Sequence, residues 1–380
     1  MKLLRGLSIT GIILGLIMIV SSLLLLKFPI SPQEVSISSD ENNNSKQIST
    51  PLNKSNEIVI NEETPTVQKV NTLEESGWIP YWAFDLGIES LKSNSGIIKS
   101  VSPVLYSINS NGNLQKNNIQ ALALNEGMKY IQGNNIRLIP TISSNNFNNT
   151  DLLFSDESKY KKNIEDILKE VETNNYDGID LDYESIHTQH KETFVNYLTL
   201  LADELHKKNK KLSVTVFAQW ENAKYTDHEE TRIVQDYSRI GKIADEVRIM
   251  AYDYTSPSST TPGPIGPINW IEEVLKYARI HIPKEKIVLG IHLYSYAWDN
   301  SKLSALTNTT VSNMFNKGVK GTYKEGIAEG YATYNCNGEN KCEMYYQTKE
   351  GIKERRELAK RYKIKGVIYW RLGGELDLLK

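Results

Sequence analysis

A chain of 380 residues with 39% hydrophobic composition can bury the core of one large domain or of two smaller ones. Its 44 Lys and Arg stand against 46 Asp and Glu, so there is no basic field for a polyanion and nucleic acid is not an expected partner. The two cysteines, Cys336 and Cys342, are too few and too close together for a zinc site.

The first predicted element is a membrane helix. After Lys2 and Arg5, the run GLSITGIILGLIMIVSSLLLL carries no charge from Gly6 to Leu26, long enough to span a bilayer. No small-residue cleavage site follows it, so a retained signal anchor is preferred over a cleaved signal that would release a secreted protein. Lys2 and Arg5 place residues 1–5 in the cytoplasm and the rest of the chain outside, as a single-pass protein of the cell membrane. Residues 27–75 are rich in Ser, Asn, Glu, Gln and Thr, without a sustained period, and read as a flexible tether. No internal repeat is present, and a monomer is expected.

From Ser76 to Lys380 short apolar runs alternate with longer amphipathic ones. The runs lie at 77–82, 102–108, 136–142, 176–184, 211–218, 246–254, 286–294 and 365–370, and helical spacing marks 159–175 and 190–209. Eight strands alternating with helices predict an α/β fold, a (β/α)8 TIM barrel. An open doubly wound sheet is the second choice, but its Gly-rich phosphate turn is missing. The long gap before the eighth strand predicts a small insertion between strands 7 and 8, at about 295–345.

The fourth strand contains DGIDLDYE, residues 177–184. Side chains alternate along a strand, so Asp180, Asp182 and Glu184 share one face while Ile179, Leu181 and Tyr183 share the other. In a barrel the apolar set meets the helices and the acids face the axis, near the end where barrel active sites form. Crowded carboxylates cannot all ionise cheaply, so a proton is shared among them. Two other readings are a solvated acidic loop and a Mg²⁺ or Ca²⁺ site. The alternation with large apolar residues argues against the loop. No metal and no cofactor is expected.

Such a ladder suits glycoside hydrolysis with one carboxylate missing. Asp182 and Glu184 approach a sugar from the same floor, with Cα atoms roughly 7 Å apart. Glu184 is placed to protonate the leaving oxygen, but neither Asp is placed to attack the opposite face. A substrate 2-acetamido group would supply the nucleophile, with Asp182 orienting it.

DGIDLDYE resembles the DxxDxDxE motif of glycoside hydrolase family 18, the chitinase family. GWIPYW (77–82), SPVLYSINSNGNL (102–114), MAYDY (250–254) and GVIYWRLGGE (366–375) resemble further strands of the same family. The pattern is most similar to bacterial cell-wall and spore-cortex N-acetylglucosaminidases. The resemblance implies that Glu184 is the acid and then the base, that Asp182 assists the acetamido group, and that Asp180 holds Asp182 through a shared proton. It implies that Tyr252 donates to the acetamido oxygen and that Trp370 stacks under the sugar. Tyr81, Gln219 and Asp253 are further candidates for sugar contact, and Met250 is named with them although core packing suits it better. The implied partner is a glycan containing N-acetylglucosamine, peptidoglycan before chitin. A silent sugar-binding member of the family is the alternative, but such members lose the acid and this chain keeps Glu184. Finally, Cys336 and Cys342 flank the turn-rich NGENK in a domain expected outside the cell, which predicts a disulfide.

Overall fold

The computed structural model describes residues 73–221, 223, 230–336 and 341–380. The expected membrane segment at 6–26 and all but the last residues of the expected tether lie outside these. Among the described residues no helix is long and apolar enough to cross a membrane.

Eight parallel strands form a closed barrel. They are β1 (Glu74–Ile79), β2 (Ser100–Ile108), β3 (Thr141–Ser144), β4 (Gly178–Tyr183), β5 (Lys211–Phe217), β6 (Glu246–Met250), β7 (Ile287–His292) and β8 (Gly366–Trp370). Each pairs with its sequence neighbour, and β1 pairs with both β8 and β2, which closes the ring. The strands are rich in Val and Ile because both faces of a barrel strand are covered. The open doubly wound alternative is thereby overturned: its edge strands would be unpaired.

Several boundaries differ from the pattern-based expectation, and three of them have a local reason. β1 begins at Glu74 rather than after the tether, because Glu75 accepts hydrogen bonds from Arg356 Nη2 at 2.7 Å and the Tyr369 hydroxyl at 2.6 Å. The third strand is split into Arg137–Leu138 and Thr141–Ser144 around Pro140, which has no N–H for the ladder. β6 stops at Met250 instead of 254, and Asp253 takes a left-handed φ of 58° that no strand continues through.

The outward face of β4 builds the core. Ile179, Leu181 and Tyr183 are buried against the helices Glu157–Thr173 and Lys191–Lys207, which contribute Ile164, Ile167 and Val171 and Phe194, Leu198 and Leu201. Burial of each such aliphatic side chain contributes about 1.5–3 kcal/mol. The first helix is capped by Asp156, which accepts from the backbone N–H of Ser158 at 2.7 Å. Gly178 opens β4 where a Cβ would lie 2.2 Å from the Lys211 carbonyl oxygen, so no other residue lets β4 and β5 pair here.

Between β7 and β8, strands Tyr294–Asp299, Lys302–Thr307, Gly321–Lys324, Glu329–Asn335 and Lys341–Tyr346 form a second, antiparallel sheet. Its small core holds Ala297, Val311, Ala332 and Met344. Cys336 and Cys342 are disulfide-bonded across the last hairpin, with Cα atoms 5.8 Å apart.

Candidate active site

The acidic ladder rises along β4 toward the mouth of the barrel. Asp180 is fully buried at its base. Its Oδ2 accepts from Trp78 Nε1 at 3.2 Å and Thr141 Oγ1 at 2.8 Å, and lies 3.3 Å from Arg248 Nη1. Its Oδ1 accepts from Thr215 Oγ1 at 3.1 Å. Asp180 is thus surrounded by one cation and three neutral donors.

Asp182 and Glu184 line a cleft of about 680 Å³ at the C-terminal end of the strands. Asp182 Oδ1 is buried without a hydrogen-bond partner. Burial, then the charges of Glu184 and Asp180, push its carboxyl well above the usual range, against a lowering pull from Arg248. Glu184 sits on the first residue beyond β4, fixed where its N–H donates to the Ser144 carbonyl at 2.7 Å. Burial and then the Asp253 charge push its carboxyl up to about 7. A carboxylic acid protonated near neutral pH is what a general acid needs.

Tyr252 and Asp253 follow β6 into the same cleft. Burial and the neighbouring carboxylates hold the Tyr252 phenol well above its usual range, so it remains a hydrogen-bond donor. Asp253 accepts from the hydroxyls of Tyr294 and, at 2.6 Å, of Tyr296, both on the first inserted strand. Burial raises its carboxyl and those two hydroxyls pull it back down.

Of the predicted contact residues, Trp370 and Met250 line the cleft, and Trp370 stands edge-on to Trp78 at 6.0 Å between ring centres. Two others do not reach it. Tyr81 is turned onto Trp82, with ring centres 5.0 Å apart, and it is Trp82 that meets Trp370. Gln219 points into the protein, where its amide donates to the carbonyls of Arg232 at 2.9 Å and Gln235 at 2.8 Å. It shapes the turn after β5.

The cleft also contains residues that the sequence reading missed. Trp220 and Trp270 meet edge to face at 5.7 Å, and Tyr254 packs on Trp270 at 5.3 Å, forming an aromatic wall at the β5 and β6 side. At the β1 and β8 side Trp370 lines the cleft, and Trp82 stands edge-on to it at 6.4 Å between ring centres. Arg248 was missed although a visible signal existed: Glu246, Arg248 and Met250 share one face of a strand whose residues are all buried. A charge at such a position requires a partner inside the barrel.

Comparison with known proteins agrees with this architecture. Among curated relatives, the chain is 27% identical over 229 residues to the uncharacterized glycosylase YvbX of Bacillus subtilis (strain 168), covering 59% of this chain and 65% of the relative. It is 23% identical over 231 residues to the cortical fragment-lytic enzyme of the same organism, covering 58% and 52%. The matched region thus spans between half and two-thirds of these relatives. Among solved structures, a chitinase from Chromobacterium violaceum ATCC 12472 superposes with a TM-score of 0.73 at 22% identity, covering 81% of this chain and 96% of that one. The Bacillus megaterium QM B1551 spore cortex-lytic enzyme SleL superposes with a TM-score of 0.69 at 19% identity, covering 79% and 71%. At these identities the superpositions establish the fold. The family model for glycosyl hydrolases family 18 matches residues 90–375, a span that carries the whole acidic ladder, the Tyr252–Asp253 pair and Trp370, and the chain belongs to that family.

Proposed function

We propose that this protein is a glycosidase that cleaves β-linked glycan containing N-acetylglucosamine, with peptidoglycan as the natural polymer and chitin as a less suited one. It would act outside the cell, held to the membrane by residues 6–26. The relatives named for cortex lysis support the polymer, and the apolar N-terminal run supports the location.

One observation carries the mechanism. Asp182 and Glu184 enter the cleft from the end of a single strand, and the cleft's other carboxylate, Asp253, is taken by two tyrosine hydroxyls. Among the described lining residues no free carboxylate faces them to attack the sugar. The substrate therefore supplies the nucleophile. Glu184 gives its proton to the glycosidic oxygen as the bond to C1 breaks. The acetamido carbonyl oxygen forms the new bond to C1. Asp182 accepts the acetamido N–H, and the Tyr252 hydroxyl donates to the acetamido oxygen as its charge develops. Glu184, now a carboxylate, takes a proton from the water that opens the ring. Two displacements at C1 retain the anomeric configuration.

Proton NMR of the first product, recorded before mutarotation, tests this on peptidoglycan fragments and chitin oligomers in parallel. Retention is expected on both, with faster release from peptidoglycan. A thiazoline built on N-acetylglucosamine should inhibit competitively, because it resembles the intermediate. An inverted first product, or equal rates on N-acetylated and de-N-acetylated substrates, overturns the mechanism.

A further inference from the structure

After β5 the chain returns to the barrel mouth as a short helix, Glu230–Val234, and buried polar side chains pin it there. Thr231 Oγ1 accepts from the Ile186 N–H at 2.9 Å and donates to the Glu184 carbonyl at 3.1 Å. Gln235 accepts from the Phe217 N–H at 2.8 Å and donates to the Tyr183 carbonyl at 3.2 Å. The Arg232 carbonyl takes the Gln219 amide at 2.9 Å. Arg232 is therefore held, from both sides along its own chain, against the backbone that carries Glu184.

Its side chain lines the cleft. The guanidinium carbon lies 4.9 Å from the centre of the Phe217 ring, and Nε donates to the Ala218 carbonyl at 3.3 Å. Among the described lining residues it is the one cation. A chain of N-acetylglucosamine is uncharged and offers this cation nothing of opposite sign. Every second sugar of peptidoglycan differs: its O3 bears a lactyl group that ends in a carboxylate, or in a stem peptide with carboxylates of its own. The cleft's acids leave room for such a group. Burial holds the carboxyls of Asp182 and Glu184 above their usual range, and Asp253 is taken by two tyrosine hydroxyls. Glu230, on the same helix, accepts from the Thr188 N–H at 2.8 Å.

We infer that Arg232 is a specificity residue that binds a carboxylate on the O3 substituent of the sugar beside the one being cleaved off. The inference rests on the proposed glycosidase reading and names the feature of the polymer that its cleft selects. The ring order supplies the direction. β8 stands opposite β4, and β5 lies beside β4. With the acetamido sugar over Trp370 on β8, Glu184 at the end of β4 meets the bond to the next sugar, and Arg232 stands over the end of β5 where that sugar lies. A guanidinium is planar and carries five N–H donors, which suits it to a carboxylate. A site built to bond a charged group discriminates against an analogue that lacks it.

Soluble glycans of equal length test this on the full chain: one with free lactyl carboxylates, the same glycan with those carboxyls converted to methyl amides, and one that keeps its stem peptides. Wild-type kcat/KM should be about tenfold or more higher on the acid than on the methyl amide, as expected for a charge-assisted hydrogen bond. The stem-peptide glycan separates the two sources. A rate near that of the acid assigns the contact to a peptide carboxylate as well, and a rate near that of the methyl amide assigns it to the lactyl carboxylate alone. Arg232→Gln should erase the acid-to-amide ratio and Arg232→Lys should keep part of it. Loss of folded enzyme lowers both rates alike and cancels in that ratio, and where turnover is too slow the ratio is taken from dissociation constants. Equal wild-type rates on acid and methyl amide overturn the inference, and so does an undiminished ratio in Arg232→Gln. A wild-type chain that leaves these glycans and chitin oligomers all intact is a different result, which overturns the glycosidase reading itself.

Discussion

The Tyr296 hydroxyl donates to the Asp253 carboxylate at 2.6 Å, tying the inserted sheet to the loop that follows β6. Asp253 in turn is the charge that, after burial, raises Glu184 to about 7. The insertion thus touches the acid through one intermediary. A general acid works while protonated, so kcat/KM should fall as pH rises through about 7. Asp253→Asn removes the negative neighbour and eases ionisation of Glu184, so the basic limb should move to lower pH. A pH–rate profile on a soluble N-acetylated oligomer measures both, and an unmoved limb in the variant refutes the coupling.

Glu184→Gln should abolish turnover and also stabilise the fold. General acid catalysis contributes about 10²–10⁴-fold, so residual activity above about a tenth of wild type would exclude this assignment. The stability effect follows from the raised carboxyl. A group whose folded pKa lies above its unfolded one loses stability as pH rises between the two, here from about 4.3 to about 7. At pH 8 the native state carries that cost in full, on the order of 3 kcal/mol, and Gln does not. Thermal melts should show a higher Tm for the variant at pH 8 and little difference at pH 4.

Glu246 behaves in the opposite sense. The charges of Arg248, Arg137 and Lys365 overcome its burial and hold its carboxyl down at about 2. Its contribution is present above the unfolded carboxyl range and is lost as pH falls from about 4 through about 2. Glu246→Gln should destabilise the protein by roughly 3 kcal/mol at pH 7, since three cations then lose the buried charge they share and keep only Asp180 and Glu74. Chemical denaturation at pH 7 and pH 3 checks this: the difference between wild type and variant should shrink at the lower pH.

Replacing Cys336 and Cys342 with Ser opens a hairpin at the edge of the inserted sheet, not a barrel strand. The loop it closes is short, so the loss should be on the order of 2 kcal/mol. Activity should be kept, because Tyr294 and Tyr296 lie on a different strand of that sheet. A loss of activity without a fall in Tm would show that the hairpin shapes the cleft itself.

Exhaustive chelation should leave activity unchanged. The ladder's buried charge is met by Arg248 at 3.3 Å, which occupies the place a divalent cation would take beside Asp180. Loss of activity with EDTA and recovery with Mg²⁺ or Ca²⁺ would favour a metal site instead.

The alternation of Asp180, Asp182 and Glu184 with Ile179, Leu181 and Tyr183 was enough to place the acids on one face and the core on the other. That follows from the period of two along a strand, a property of local chain geometry that needs no partner. The eight strands were legible for the same reason, and so was the position of Glu184 at the mouth. Whether Gln219 met sugar or backbone was not legible, because rotation at its Cβ–Cγ bonds toward Arg232 and Gln235 is decided by carbonyls 13 and 16 residues away. Trp270 joins Trp220 across a gap of fifty residues that no local pattern spans. The surroundings of Asp180 belong to the tertiary structure most of all. Arg248, Trp78, Thr141 and Thr215 converge on it from four other strands, and electrostatic energy depends on distance through space, not on order along the chain.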